Sequence, residues 1–288
     1  MKMKIINDKL FFYVDSAMKI ADFFAYYYLS KKTIHDLLTN RLLVNHNQVN
    51  NDYMLRKGDV ISVDIAKTID KKVSGNLCDV IYEDDIVLIV KKGDDQIIHD
   101  DQSDNALEND VATYYQYHDY HRNVRYIHRL DKRTSGLVFF CKVDFFISYF
   151  DHLLSDKKIH REYLAIVKGK FKDCIVDKKI GSDRHVNNKY RISDTGKEAK
   201  TAFKLISYKN GYSLVNCTLF TGRTQQIRVH LQSIGYPIIN DEIYGFHNDR
   251  FKHMGLYAYK LSFIDVIKKV PLTISDTSFE DLDYFKVF

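Results

Sequence analysis

The sequence predicts a chain of mixed helix and strand in two unequal parts, and three observations carry the prediction. Short β-branched or aromatic runs, among them residues 80–82, 86–90 and 214–220, have the length and composition of strands. Elsewhere apolar residues recur at helical spacing, as Ile20, Phe23, Phe24, Tyr27 and Tyr28 do. Between them, residues 66–76 read AKTIDKKVSGN, a polar stretch with a Ser-Gly pair that marks a linker. The 288 residues thus divide near Lys72 into a small unit, 1–72, with its core at about 15–65, and a larger one, 73–288.

Composition narrows the class. A chain that is 45% hydrophobic and 14% aromatic has ample material for a packed interior, which excludes a disordered polymer. The four cysteines, Cys78, Cys141, Cys174 and Cys217, lie far apart without a C-x-x-C pair, so they read as reduced thiols. Lys2, Lys4, Asp8 and Lys9 interrupt any signal-like stretch, and no run approaches the ~20 apolar residues of a bilayer crossing. The expected location is the cytoplasm, without membrane attachment. Net charge is +5 but uneven: residues 75–124 carry 12 acidic and 3 basic side chains, and residues 157–209 carry 15 basic and 6 acidic. Basic charge concentrated in the second half fits a polyanionic partner.

In the small unit, Asp15 or Ser16 is placed to cap a first helix, and Ser30 a second that carries Ile34, Leu37 and Leu38. Residues 42–44 and 48–50 flank a polar turn and read as a hairpin, and Gly58 with Asp59 introduces a last strand at 60–64. In the large unit, strands at 80–82 and 86–90 are separated by an acidic turn, 83–85, which reads as solvated because no calcium-loop pattern accompanies it. A helix over 104–120 follows, with Leu107, Val111 and Tyr114 or Tyr115 on one face. His118 and His121, lacking a third ligand in register, read as surface residues. Next come a helix at 145–154, an alternating strand at 159–169, a polar, basic stretch at 177–193 and a strand at 214–220. The last helix presents Ile227, Leu231 and Ile234 on one face and ends at Gly235.

The stretch with most chemistry is 126–141, YIHRLDKRTSGLVFFC. Asp131 stands between strand-like runs with Arg129, Lys132 and Arg133 beside it, and such cations favour an ionised carboxylate. On its own, an Asp in this setting is usually a turn residue bonding nearby amides.

The segment His128 to Leu137 resembles the HRLDxxTSGL signature of the RluA-type pseudouridine synthases, which isomerise uridine within RNA. Four more stretches resemble that family in order. Lys92 and His99 match its second motif, although Gly93, Asp94 and Asp95 depart from the usual Pro-x-Gly. Residues 159–169, IHREYLAIVKG, are similar to its K-x-Y-x-A-x-V-x-G strand, and 219–245, LFTGRTQQIRVHLQSIGYPIINDEIYG, to its long TGR motif, with Gln225 and Asn240 for a usual His and Gly. Residues 255–263, GLYAYKLSF, carry Tyr257 where His is usual. The small unit resembles the RNA-binding domain named after ribosomal protein S4, through NRLLVNHNQV at 40–49 and the Gly58 turn. There Asn40 and His46 stand for glycines, and both residue types tolerate positive φ.

The resemblance implies an α+β pseudouridine synthase fold, a mixed and largely antiparallel central sheet with flanking helices, behind a small N-terminal α/β RNA-binding domain. It implies Asp131, Tyr163 and Arg228 as the catalytic residues: the Asp as nucleophile or ribose-proton base, the Arg paired with it, the Tyr against the target base. Isomerisation adds no water and oxidises nothing, so no metal or organic cofactor is expected. Arg129, Arg133, Arg223, Lys19, Lys31, Lys32, Arg41, Arg184, Lys189 and Arg191 are the candidate RNA contacts, by charge and position. The expected substrate is large-subunit ribosomal RNA, with transfer RNA second, and the expected enzyme is a monomer. Two other readings stay open: a non-catalytic RNA-binding or ribosome-assembly protein, which the altered loop at Gly93 allows, and an Asp-dependent hydrolase.

Overall fold

The computed structural model describes every residue except 101, 102, 104, 282–284 and 287. Residues 2–64 build a four-stranded antiparallel sheet, order β1-β2-β6-β4, from β1 (Lys2–Ile6), β2 (Lys9–Tyr13), β4 (Leu42–Val44) and β6 (Val60–Asp64). Helices α1 (Ile20–Tyr26) and α2 (Lys31–Asp36) cover it, and a two-residue pair, β3 (Met18–Lys19) with β5 (Met54–Leu55), closes its end.

Local chemistry is met in part. The Ser30 hydroxyl accepts the Thr33 N–H at 3.1 Å and caps α2 as expected. Neither Asp15 nor Ser16 caps α1: that helix starts after Lys19 because Met18 and Lys19 are drawn into the β3 and β5 pair, and Asp15 takes the terminal ammonium. Residues 48–50 form no strand either. Val44 and Asn47 make a tight turn, and Leu42–Val44 pairs with Val60–Asp64 instead. His46 has the expected positive φ of 68°, whereas Asn40 lies in a wide helical turn, Leu37–Arg41. The stretch read as a linker lies against the large unit: the Lys67 N–H donates to the His121 carbonyl, and Asp70 takes the Val124 N–H.

The large unit is organised on one nine-stranded sheet. Its strands are β7 (Asp79–Glu83), β8 (Val87–Lys92), β9 (Ser135–Cys141), β10 (His160–Lys168), β11 (Cys174–Asp177), β14 (Lys200–Lys209), β15 (Tyr212–Leu219), β16 (Leu256–Ile264) and β17 (Pro271–Ser275). The spatial order is β11-β14-β15-β10-β16-β9-β8-β7, with β17 on β16. All neighbours are antiparallel except β16 and β9, which run parallel through Tyr257 with Ser135 and Ala258 with Gly136. This is the mixed, largely antiparallel sheet that the sequence implies. The parallel seam depends on Gly136: its φ is +115°, and a Cβ there would stand 2.2 Å from the Ala258 carbonyl oxygen. Between β11 and β14, a separate hairpin is formed by β12 (Ile180–Ser182) and β13 (Tyr190–Ile192).

Helices α3 (Leu107–Tyr117), α4 (Ile147–Ser155) and α5 (Gln226–Ser233) flank the sheet. α3 buries Leu107, Val111 and Tyr115; Tyr114 instead donates its hydroxyl to Glu83. The acidic turn is therefore structural, not merely solvated. Glu83 also pairs with Lys142, and Asp84 accepts the Ile86 and Val87 N–H groups. The small unit packs on the 3-10 turn Asp144–Phe146 that leads into α4, through Phe12, Phe23 and Tyr27 against Phe145, with ring centroids 5.1–6.0 Å apart, so the two units share one apolar core. Cys78, Cys141 and Cys217 are buried free thiols, and Cys174 is half-buried. Among the described residues, no helix is long and apolar enough to cross a membrane, and no cluster of three metal-ligating side chains occurs.

Candidate active site

Residues 128–134 form a loop whose two ends are tied together. Tyr126 bridges Phe140, and the Ile127 N–H donates to the Phe139 carbonyl, so the chain runs back along β9 before turning. Asp131 stands in that loop, and its carbonyl accepts the Thr134 N–H at 3.0 Å. Beneath it lies Lys92, at the end of β8 and fully buried. Its ammonium donates to the carbonyls of Gly93, Gln96 and Lys132 at 2.7–2.8 Å, so one cation fastens two loops beside the carboxylate. Burial pushes the Lys92 amine down to about 8, against the pull of Asp94 and Asp131.

Arg228 reaches Asp131 from the first turns of α5. Gln226, buried at the helix start, sets that approach: its Oε1 accepts Thr221 Oγ1 and the Arg223 N–H, and its Nε2 donates to the Lys200 carbonyl and Thr201 Oγ1. Arg228 Nη1 donates to Asp131 Oδ2 at 3.0 Å. Its Nε and Nη2 grip Asp241 at 2.7 and 2.8 Å, a bidentate fork. The Asp241 side chain is 0% exposed and also accepts the Ile243 and Tyr244 N–H groups. Burial opposes the charge on Arg228, but the Asp241 hydrogen bonds outweigh it and hold the guanidinium protonated. Asp131 Oδ1 has no hydrogen bond from a described protein group, so the carboxylate is anchored through one oxygen.

Tyr163 lies on β10 beside a register shift at Glu162, with Ala258 and Cys217 as its cross-strand neighbours. Burial pushes its phenol up, so the ring carries its proton throughout the neutral range. Asp131, Tyr163 and Arg228 line a cavity of about 420 Å³ together with Arg129, Arg161, Arg223 and His128. That volume suits a small-molecule-sized occupant such as one nucleoside.

The other candidates divide. Arg129 and Arg223 are exposed at the cavity wall. Arg184, Lys189 and Arg191 belong to the β12 and β13 hairpin or its tip. That tip touches the cavity rim where Gln225 Nε2 donates to the Asn188 carbonyl. Lys19, Lys31, Lys32 and Arg41 lie in the small unit, and none of them lines the cavity; Arg41 pairs with Asp36 and donates to the Asp64 carbonyl. Arg133 turns away from the cavity to Asp94 at 3.1 Å, Asp95 at 3.7 Å and Glu242 at 3.6 Å. Sequence reasoning did not single out Asp241, Tyr244 or Arg161. Asp241 was within reach, since it stands inside the long TGR motif. Tyr244 stands in the same motif; its ring lies 5.2 Å from the Arg228 guanidinium carbon and its hydroxyl meets Gln225 and Tyr190.

The cavity thus brings together the Asp131–Arg228 pair anchored from behind, buried Tyr163 and the exposed Arg129 and Arg223. Comparison with known proteins names the class. Residues 85–233, just over half of the chain, match the family model described as RNA pseudouridylate synthase, and the chain belongs to that family. It is 35% identical over 248 residues to the uncharacterized RNA pseudouridine synthase YhcT of Bacillus subtilis, covering 83% of this chain and 82% of that one. It is 32% identical over 203 residues to ribosomal large subunit pseudouridine synthase D of Borreliella burgdorferi, covering 66% of this chain and 61% of that one. Among solved structures, human RNA pseudouridylate synthase domain containing 1 has the same fold, with TM-score 0.63 at 21% identity over 75% of this chain and 90% of that one. The protein is an RNA pseudouridine synthase.

Proposed function

We propose that the enzyme converts specific uridines of structured large-subunit ribosomal RNA to pseudouridine, with Asp131 as the reacting carboxylate. The observation that carries this reading is the chain of contacts from Asp241 through Arg228 to Asp131 at the wall of a nucleoside-sized cavity. Attack on the ribose and removal of a ribose proton both need a carboxylate that is ionised and fixed in direction. Arg228 fixes the direction, through the hydrogen bond from Nη1 to Oδ2 at 3.0 Å. Tyr163 packs against the base while it turns, its buried phenol staying neutral. The target must leave its stack to enter the cavity. Arg129 and Arg223 at the mouth, the hairpin cations Arg184, Lys189 and Arg191, and Lys19, Lys31, Lys32 and Arg41 of the small unit, read as an S4-like domain, are assigned to RNA phosphates. Support for ribosomal RNA comes from that unit and from the name of the Borreliella relative; transfer RNA is the second candidate.

The test is to incubate the protein and its Asp131→Asn variant with unmodified ribosomal and transfer RNA in chelator and map pseudouridine at single-nucleotide resolution. The expected result is sites in large-subunit RNA with the wild type alone, the variant falling by at least about 10³-fold while RNA affinity holds. Sites confined to transfer RNA would replace the substrate, and an active Asp131→Asn variant would remove the role given to that residue.

A further inference from the structure

The loop in which this chain departs from the family pattern turns two of the cations beside Asp131 away from service. Lys132 Nζ lies 3.1 Å from Asp95 Oδ1, and Arg133 Nη1 lies 3.1 Å from Asp94 Oδ2 and 3.7 Å from Asp95 Oδ1. Asp95 sits at φ +59°, a conformation that Asp tolerates better than most residues, so the turn survives the exchange of residue types. Asp94 is almost closed off from solvent and also meets His253 Nδ1 at 2.6 Å. The loop cannot drift from its partners, because Lys92 holds the carbonyls of Gly93, Gln96 and Lys132 at once. With Glu242 added, Lys132 and Arg133 are met by three carboxylates, which takes from these two side chains much of the attraction they would offer a phosphate. Arg129 and Arg223, on the cavity wall, make no ion pair with a described residue.

The pairing is also incomplete. Arg133 Nε is shielded from water and has no hydrogen-bond acceptor, its nearest carboxylate oxygen being 3.6 Å away. An RNA phosphodiester, with two non-bridging oxygens, can accept from both arms of an arginine fork. We infer that Asp94 and Asp95 act as a built-in phosphate mimic on Lys132 and Arg133, and are specificity-determining residues for the RNA substrate. RNA held by charge alone gains nothing from displacing them. A target that also seats a uridine in the cavity brings its backbone close enough to exchange with them. The inference rests on the enzyme's action on RNA but not on which RNA it modifies.

The experiment measures affinity of the full chain for a single-stranded oligouridine as a function of salt. The wild type is compared with Asp94→Asn/Asp95→Asn and with Asp95→Asn alone, the second because Asp95 is exposed and its change spares the fold. Freeing both cations is expected to tighten binding roughly tenfold at low salt and steepen the log–log salt slope by about 1.4, with about half that change for Asp95→Asn. Adding Lys132→Ala and Arg133→Ala to the double variant returns the slope to the wild-type value. Unchanged slopes in both folded variants, or a steeper slope that persists without Lys132 and Arg133, would overturn the inference. Pseudouridine is not the readout, so a failed ribosomal assignment and a failed loop assignment are told apart.

Discussion

Asp131 is flanked by two ionic systems that share charge types and differ in nearly everything else. On the α5 side, Arg228 is 5% exposed and Asp241 is 0% exposed, joined by a two-bond fork. On the loop side, Lys132 is 57% exposed and Asp95 62% exposed, joined by one contact at 3.1 Å. A buried pair has shed its water already and has no cheap alternative partner, so it fixes geometry. An exposed pair trades partners with water and ions at little cost, which suits it to be exchanged for an incoming phosphate. Arg228 and Asp241 thus form a rigid pair behind Asp131, and Lys132 and Asp95 an exchangeable one on its other side.

The comparison breaks first at Asp241. Asp241→Asn removes the charge that Arg228 is buried against and turns one acceptor of the fork into an NH2 facing the guanidinium, while the remaining Oδ1 can still take the Ile243 and Tyr244 N–H groups. Expected losses are about 3–5 kcal/mol in unfolding free energy, read by denaturant titration, and at least about 10²-fold in single-turnover rate. Arg228→Ala should cut the rate at least as deeply, and Arg228→Lys should not restore it, since an ammonium cannot span Asp241 and Asp131 in one plane. If Arg228→Lys turned over at the wild-type rate, the fork would be packing and not positioning.

Lys92 sharpens the comparison, because it is buried like Arg228 yet faces carbonyls instead of carboxylates. Its amine is pushed down by burial to about 8 in the folded state, whereas the unfolded chain protonates near the ordinary 10.5. Between those values the unfolded state binds more protons, so stability gains as pH rises through that window. Wild type measured against Lys92→Met should gain about 1.4 kcal/mol per pH unit there, other groups cancelling in the difference. A flat difference between pH 8 and 10.5 would mean that the three carbonyls offset the desolvation.

What the sequence disclosed and withheld follows the same division. Asp131, Tyr163 and Arg228 stand in motifs whose residue types the chemistry restricts, so they could be named, and the structure brings all three to one cavity. The strands of the central sheet were legible from period and β-branching, as at Val87–Lys92 and Tyr212–Leu219. Long-range partners were not. Residues 48–50 carried a hairpin pattern, but Leu42–Val44 found β6 and Met54–Leu55 found Met18–Lys19, choices made by tertiary packing. The pairing of Arg133 with Asp94 spans 39 residues and rests on a loop where this chain leaves its family's pattern, so no local signal announced it.

The smallest effect is expected at Lys132, and it separates the two systems most cleanly. Lys132→Ala removes an exposed side chain whose partner, Asp95, is equally exposed, while the Lys132 carbonyl that Lys92 grips is backbone and survives. The unfolding midpoint should therefore move by no more than about 2 °C. RNA affinity is the contrasting readout: with Asp95 left unpaired near the cleft, oligouridine binding should weaken at low salt while its salt slope stays at the wild-type value, because wild-type Asp95 already holds Lys132 from phosphate. A midpoint shift as large as that of Asp241→Asn would show the loop-side pairs to be structural, and the distinction between fixed and exchangeable ions around Asp131 would fall.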